Sequence, residues 1–191
     1  MLKDSMRIAR NSTHSVSRRI FIALGALMAT TACSGKTTTL KPPVKIPFLV
    51  ERAGSRVQIE ITISEYRDYW FNLQFPYKTD DNADFLRIRQ LTGSFEKDRD
   101  GKLVSSGVPL QIRLSIVGQN SAHEEVQYEK TSEPFLASYG GGYVTKRIDE
   151  VLLKPGRYVV SAESLLDAQE FNGGHAEFSV TWHPKSSVIS K

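Results

Sequence analysis

Alternation of apolar and polar residues recurs along most of this 191-residue chain and constrains its fold more than any other feature. In residues 57–63 every second residue is Val or Ile, with Gln, Glu or Thr between them. A period of two gives a strand one buried and one wet face. Strand-like segments follow at 69–75, 110–116, 124–130, 143–153, 158–162 and 176–182. The sequence therefore predicts about seven strands.

The stretch 81–92 departs from this period, because its apolar residues recur at helical spacing. Asp81 or Asn82 can cap the start of a helix, and Gly93 can end it. Strands with turn signals between them, joined to one short helix, predict a mostly β fold. The expected architecture is an antiparallel immunoglobulin-like β-sandwich of about seven strands with one short inserted helix.

Residues 153–158, Leu-Lys-Pro-Gly-Arg-Tyr, form the clearest structural motif. Pro155 presets φ at the first central position of a turn, and Gly156 accepts positive φ at the second. In immunoglobulin-like sandwiches a tyrosine at such a corner donates its hydroxyl to the main chain. We therefore expect a structural role for Tyr158.

The N-terminal segment has the layout of a bacterial lipoprotein signal. Arg18 and Arg19 precede an apolar run at 20–29, and small residues then lead to Cys33, the only cysteine. This run is about half as long as ~30 Å of hydrocarbon requires, so it suits a signal peptide. We expect cleavage before Cys33 and a lipid on its sulfur. The alternative is an ordinary secretory signal with a chance cysteine near the cleavage site. Thr30 is a departure from the pattern, because lipoprotein signals usually carry Leu at this position.

Arg18 and Arg19 also match the twin-arginine export motif, and the general secretory route stays open as the alternative. Ser34 after the cysteine favours the outer membrane over the inner one. We expect a lipid-anchored protein of the bacterial cell envelope that faces the periplasm. The predicted organisation is a signal peptide at 1–32, a lipidated cysteine and Pro/Thr-rich tether at 33–47, a β-sandwich domain at 48–185 and a loose tail at 186–191.

Charge and cysteine content exclude several classes of function. Residues 1–32 hold five of the 25 basic and one of the 21 acidic residues, so the remainder is balanced in charge. A balanced chain lacks the basic face that a nucleic-acid partner needs. With Cys33 acylated, no thiol remains for a disulfide or a thiolate metal site.

The sequence offers little evidence for a catalytic or a metal-binding motif. The chain has no G-x-S-x-G elbow, and His123, His175 and His183 form no metal-binding pattern. The acidic loop 96–101 matches half of an EF-hand, but Gly107 stands where the bidentate glutamate belongs. A solvated loop is the favoured interpretation, and weak Ca²⁺ binding is the alternative. We expect no enzyme, cofactor or metal site.

Two glycine-rich segments carry aromatic residues and are the candidate recognition loops. Tyrosines are enriched at protein interfaces, and sandwich folds often bind through loops. The alternative is that both segments are plain hairpin connections. The candidate partner-binding residues are Tyr139, Gly140, Gly141, Gly142, Tyr143 and Phe171.

Several segments together resemble one known family. They are 75–78 (Phe-Pro-Tyr-Lys), 87–93 (Arg-Ile-Arg-Gln-Leu-Thr-Gly), 100–103, 109–114, 145–148 (Thr-Lys-Arg-Ile) and 153–158. Their order is similar to that in a family of uncharacterised proteobacterial lipoproteins that share a domain of unknown function. The resemblance implies a lipid-anchored β-sandwich, and it implies no activity and no catalytic residues.

These observations predict a non-enzymatic envelope lipoprotein that binds a protein partner. A specific version is a periplasmic immunity protein against a toxin or phospholipase effector. The alternatives are a ligand-binding module and a structural lipoprotein of envelope assembly or secretion.

The lipid anchor can be tested by replacing the acylated residue. We expect Cys33→Ser to move the protein from the membrane fraction to the soluble fraction, because the only thiol that can carry a lipid is lost. Membrane fractionation and immunoblotting measure the distribution. A mutant that stays with the membrane would show that the lipid hypothesis is wrong.

Overall fold

The structure is a computed structural model that describes residues 39–97, 99–101, 106–120 and 123–183. The predictions for the signal peptide 1–32, for Arg18, Arg19 and Cys33, and for the tail 186–191 lie outside these residues. No helix within the described ranges is long and apolar enough to cross a membrane.

Nine strands and one α-helix are found in the described part of the chain. The strands are β1 (Val44–Phe48), β2 (Arg56–Ile63), β3 (Arg67–Pro76), β4 (Ile112–Asn120), β5 (His123–Ser132), β6 (Phe135–Gly140), β7 (Tyr143–Leu153), β8 (Gly156–Ser164) and β9 (Ala176–Thr181). The helix α1 spans Asn82–Thr92, and a single 3₁₀ turn covers Gln169–Phe171.

The strands form two antiparallel sheets, which confirms the predicted mostly β sandwich with one helix. The five-stranded sheet has the order β1-β9-β3-β7-β6, and the four-stranded sheet has the order β2-β8-β4-β5. All pairings between named strands are antiparallel. The helix lies between β3 and β4 in the chain.

Two strands were not predicted, and one of them corrects the predicted tether. Residues 44–47 belong to β1, which pairs with β9 from Val44↔Val180 to Phe48↔Ala176. Leu40 also exchanges backbone hydrogen bonds with β2, because its N–H donates to the Glu60 carbonyl at 2.9 Å. The prolines of this segment led to the prediction of a tether. Proline is tolerated in edge strands, however, and β1 is an edge strand. The other missed strand, β6, is rich in small residues and shows no alternation.

The core lies between the inward faces of the two sheets. Phe71 of β3 and Phe178 of β9 stack with their ring centroids 6.4 Å apart. Ile61, Ile112 and Leu114 of the opposite sheet are fully buried. Each side chain of this size contributes about 1.5–3 kcal/mol when buried.

Polar side chains join the two sheets along one side. The hydroxyl of Tyr128 on β5 donates to the Asp149 carboxylate on β7, and the Lys130 ammonium lies 2.8 Å from the same carboxylate. Burial alone would raise the pKa of Asp149, but its hydrogen bonds to Lys130 and Tyr128 hold that pKa below its usual value. Ser132 Oγ also donates to the Ile148 carbonyl at 3.0 Å.

The helix begins and ends where the sequence predicted. The Asp81 carboxylate accepts hydrogen bonds from the backbone N–H groups of Ala83 and Asp84 at 2.9 and 3.2 Å. Gly93 follows the last turn with φ 99°, a value that favours glycine. Ile88 is buried against the core.

The tyrosine corner is confirmed, with one correction. The Tyr158 hydroxyl donates to the Lys154 carbonyl at 2.8 Å, and Tyr69 repeats the arrangement with Glu65 at 3.1 Å. Burial raises the pKa of both phenols. Gly156 does not have positive φ, so the predicted turn geometry is wrong at this position.

We expect Tyr158→Phe to lower the free energy of unfolding by about 0.5–1.5 kcal/mol, because the Lys154 carbonyl loses its partner. Urea denaturation measures the change. Tyr143→Phe is the matched control, since the Tyr143 hydroxyl makes no hydrogen bond to a described residue; it is expected to change stability far less. Equal losses in the two variants would contradict the structural role of the corner.

Candidate functional site

The predicted recognition loop is the tight turn between β6 and β7. Gly141 and Gly142 are its central residues, with φ of 60° and 82°. Two-residue hairpins of this kind require positive φ at both positions, which glycine supplies without strain. The turn geometry thus accounts for these two glycines without a role in binding. Partner binding by the side chains of the segment stays a prediction.

The aromatic candidates lie in different environments. Tyr139 is 39% exposed on β6, whereas Tyr143 is half-buried and has the Lys45 ammonium 3.8 Å from its ring centroid. Phe171 is 4% exposed and stacks on Phe75 in the core. The prediction for Phe171 is therefore wrong, because a core side chain is not available to a partner.

Tyr139 belongs to an aromatic row that the sequence did not reveal. The row consists of Tyr77, Phe85, Tyr139 and Phe95, whose neighbouring ring centroids lie 4.9, 6.2 and 5.0 Å apart. Its members come from the residue that follows β3, from α1, from β6 and from the loop after α1. Phe95 is 44% exposed, so the row reaches the surface beside β6.

The edge position of β6 gives this surface a second property. Four strands lie at sheet edges, namely β1, β6, β2 and β5. Edge strands are usually blunted by charge, proline or a covering segment. β1 carries Lys45 and Pro47, β2 is charged and partly paired with Leu40, and β5 is rich in charge. β6 has neither charge nor proline, and a bulge between Leu136 and Ser138 is its only irregularity in register.

A separate cavity of about 300 Å³ lies where α1 ends. Its described walls are the residues 92–94 at the end of the helix, the loop 106–110, the residues 133–136 around the start of β6, and Lys146 of β7. Lys146 alternates with Val144 and Ile148, which are buried on the same face of the sheet. The lysine therefore lies on the inner face of the sandwich.

Lys146 is 5% exposed, and its ammonium donates to the Thr92 carbonyl at 2.9 Å. Burial lowers the pKa of this lysine. Thr92 ends the helix, where carbonyls lack intrahelical partners and the dipole favours a cation. The Leu91 carbonyl is similarly satisfied by the Val108 N–H at 2.7 Å. Tertiary contacts thus complete the end of α1.

The acidic loop that follows is tied to the helix. Arg89 Nη2 donates to Ser94 Oγ at 2.9 Å and forms an ion pair with Glu96. Ser94 Oγ also accepts the Glu96 N–H at 3.0 Å. Asp98 lies outside the described residues. Among the residues that the structure places, no three His, Cys, Asp or Glu side chains lie together as a metal site.

A domain of unknown function, DUF5625, matches residues 45–182. The chain belongs to this family. The DUF5625 match covers both sheets, the helix and the cavity. No curated protein matches the chain in sequence.

Two solved structures resemble this DUF5625 domain. A crystal structure of a protein from Sulfurospirillum deleyianum has 24% identity and a TM-score of 0.61, over 75% of this chain and 98% of that one. This likeness supports the fold alone. A family GH115 4-O-methyl-α-glucuronidase, BtGH115A, has 6% identity and a TM-score of 0.33, over 73% of this chain and 16% of that one. A likeness this weak carries no argument about function.

The cavity wall depends on Gly107, and this dependence can be measured. A Cβ on Gly107, whose φ is 75°, would lie 2.5 Å from backbone atoms of Leu91, Thr92 and Gly93. We expect Gly107→Ala to lower the free energy of unfolding by about 3 kcal/mol or more, through φ strain and overpacking together.

Gly54→Ala is the control, because Gly54 has φ 82° and open space around its Cβ position. It should cost only the φ strain, about 1–2 kcal/mol. Denaturation in urea measures both variants. Similar costs would contradict the close packing of the loop against the helix end.

Proposed function

We propose that the protein is a lipid-anchored component of the bacterial cell envelope that acts without catalysis by binding a protein partner. Cys33 carries the lipid, and the domain faces the periplasm from the outer membrane. The resemblance to proteobacterial lipoproteins supports the anchor. The observation that supports partner binding is the uncharged edge strand β6 beside the exposed aromatic row.

The partner binds as an extended segment that pairs with β6. An edge strand offers unpaired N–H and C=O groups along its outer side, so an added strand gains backbone hydrogen bonds. Tyr139 and Phe95 supply aromatic contact area next to this edge, and Phe135 is 59% exposed at its start. Aromatic side chains dominate the energetics of many interfaces. Backbone pairing then provides affinity, and the aromatic row provides selectivity.

A specific version of this proposal is an immunity protein that caps a toxin or phospholipase effector in the periplasm. Such a role needs a small domain with a fixed binding surface and a tether to the membrane. A structural role in envelope assembly or secretion would use the same surface for a resident partner. The identity of the bound protein decides between these versions.

Site-specific photo-crosslinking in cells tests the surface. We place a benzophenone amino acid at Ser138 on β6 and, as the matched control, at Thr131 on β5; both positions are exposed and lie on edge strands. We expect a discrete crosslinked product from position 138 only, because β5 is protected by charge. Mass spectrometry of that product identifies the partner.

Two substitutions complete the test. Tyr139→Ala, which removes the ring that contacts both Phe85 and Phe95, should weaken the crosslink made from position 138. Ser138→Lys places a charge on the edge and should abolish capture of the partner from envelope extract. Crosslinks of equal yield from β5 and β6, or capture that survives both substitutions, would contradict the proposal.

A further inference from the structure

We propose that the cavity at the end of α1 binds a small organic carboxylate, whose carboxylate group pairs with Lys146 and whose apolar body lies against the loop 106–110 and the start of β6. The site adjoins the start of β6, since Phe135 lines the cavity and also belongs to the β6 surface. Its test uses small probes and does not depend on partner binding.

The first argument is the incomplete pairing of a buried cation. A lysine ammonium has three N–H donors, and the Thr92 carbonyl accepts one of them. No carboxylate among the described residues forms an ion pair with Lys146, and Glu133 on the cavity wall is exposed to solvent. Buried charges are normally paired, because an unpaired one loses its hydration without compensation. An anion in the cavity would supply the missing partner.

The cap on the helix end does not remove this requirement. The helix dipole favours a cation at this end of α1, and capping the Thr92 carbonyl uses one N–H of Lys146. The two remaining N–H donors of Lys146 have no acceptor among the described residues. Burial already lowers the pKa of this lysine, as expected for an ammonium with no counter-ion beside it.

The second argument is the chemistry of the walls. Val108, Pro109 and Leu110 line one side of the cavity, and Pro134, Phe135 and Leu136 line another. The Ser94 hydroxyl accepts bonds from Arg89 and from the Glu96 N–H, and its own proton has no acceptor among the residues described here. One buried cation, one free hydroxyl donor and two apolar walls suit a single carboxylate on an apolar body.

The size of the cavity agrees with this class of ligand. A volume of about 300 Å³ lies at the lower end of the range for small-molecule sites. A highly charged phosphate ester would need more than one cation, and a sugar would need more polar groups than these walls offer. The combination favours a short-chain or aromatic monocarboxylate.

The test compares hexanoate with hexanol on the purified protein. The two probes share an apolar chain and differ in charge. We expect hexanoate to bind at least about tenfold more tightly, since a charge-assisted hydrogen bond contributes on this scale. Titration calorimetry gives the affinities. NMR of the lysine ¹³Cε resonances should show one lysine shifted by hexanoate and unaffected by hexanol.

Lys146→Gln assigns the effect to this side chain, because its amide can still donate to the Thr92 carbonyl while the charge is lost. It should remove the preference for hexanoate and the shifted lysine resonance. Lys130→Gln, at an exposed lysine, is the control and should leave both unchanged. The proposal is overturned if hexanoate and hexanol bind alike, if neither binds saturably below about 10 mM, or if the Lys146→Gln protein keeps the preference.

Discussion

Burial of two apolar sheet faces against each other is the constraint on which the rest of this structure depends. Each sheet has one inward face of aliphatic and aromatic side chains, and neither face is stable in water without the other. Once the faces meet, strand register is set, because a slip of one residue would turn every inward side chain to solvent. The helix, the tyrosine corners and the polar contacts between β5 and β7 are then held by this packing.

At the end of α1, backbone carbonyl groups that need hydrogen-bond donors lie next to the core. The last carbonyls of the helix have no intrahelical partners, and the sandwich supplies them from a neighbouring loop and from Lys146. This contact places a charged lysine between the buried apolar residues Val144 and Ile148 of the same strand. A cavity remains beside it, so the same side chain that completes the helix is also placed to meet an anionic ligand. The β6 surface adjoins this cavity at Phe135 and has a different property, since β6 is an edge strand without charge or proline.

Sequence patterns predicted most of the architecture because alternation reports directly on two-faced strands. The predictions failed where local pattern and tertiary pairing disagree. β1 carries a proline, and β6 contains three small residues and shows no alternation, so neither has a clear strand pattern and each is identified by its pairing with a neighbour. For Phe171, too, the local sequence and the tertiary packing disagree. It lies near glycines, which predicted an exposed loop, but stacking on Phe75 places it in the core.

What the sequence determined by itself is the fold class, the capped helix and the tyrosine corner, because these depend on spacing between residues close in the chain. Only the tertiary structure decided which residues lie together in the two candidate binding sites. The rings of the aromatic row come from the segment after β3, from α1, from the loop after α1 and from β6, and no spacing rule joins them. In the sequence, Lys146 looks like an ordinary strand residue. Only the folded sheet places it on the inner face, next to the end of the helix. Contacts between distant segments create both sites, and linear patterns do not record such contacts.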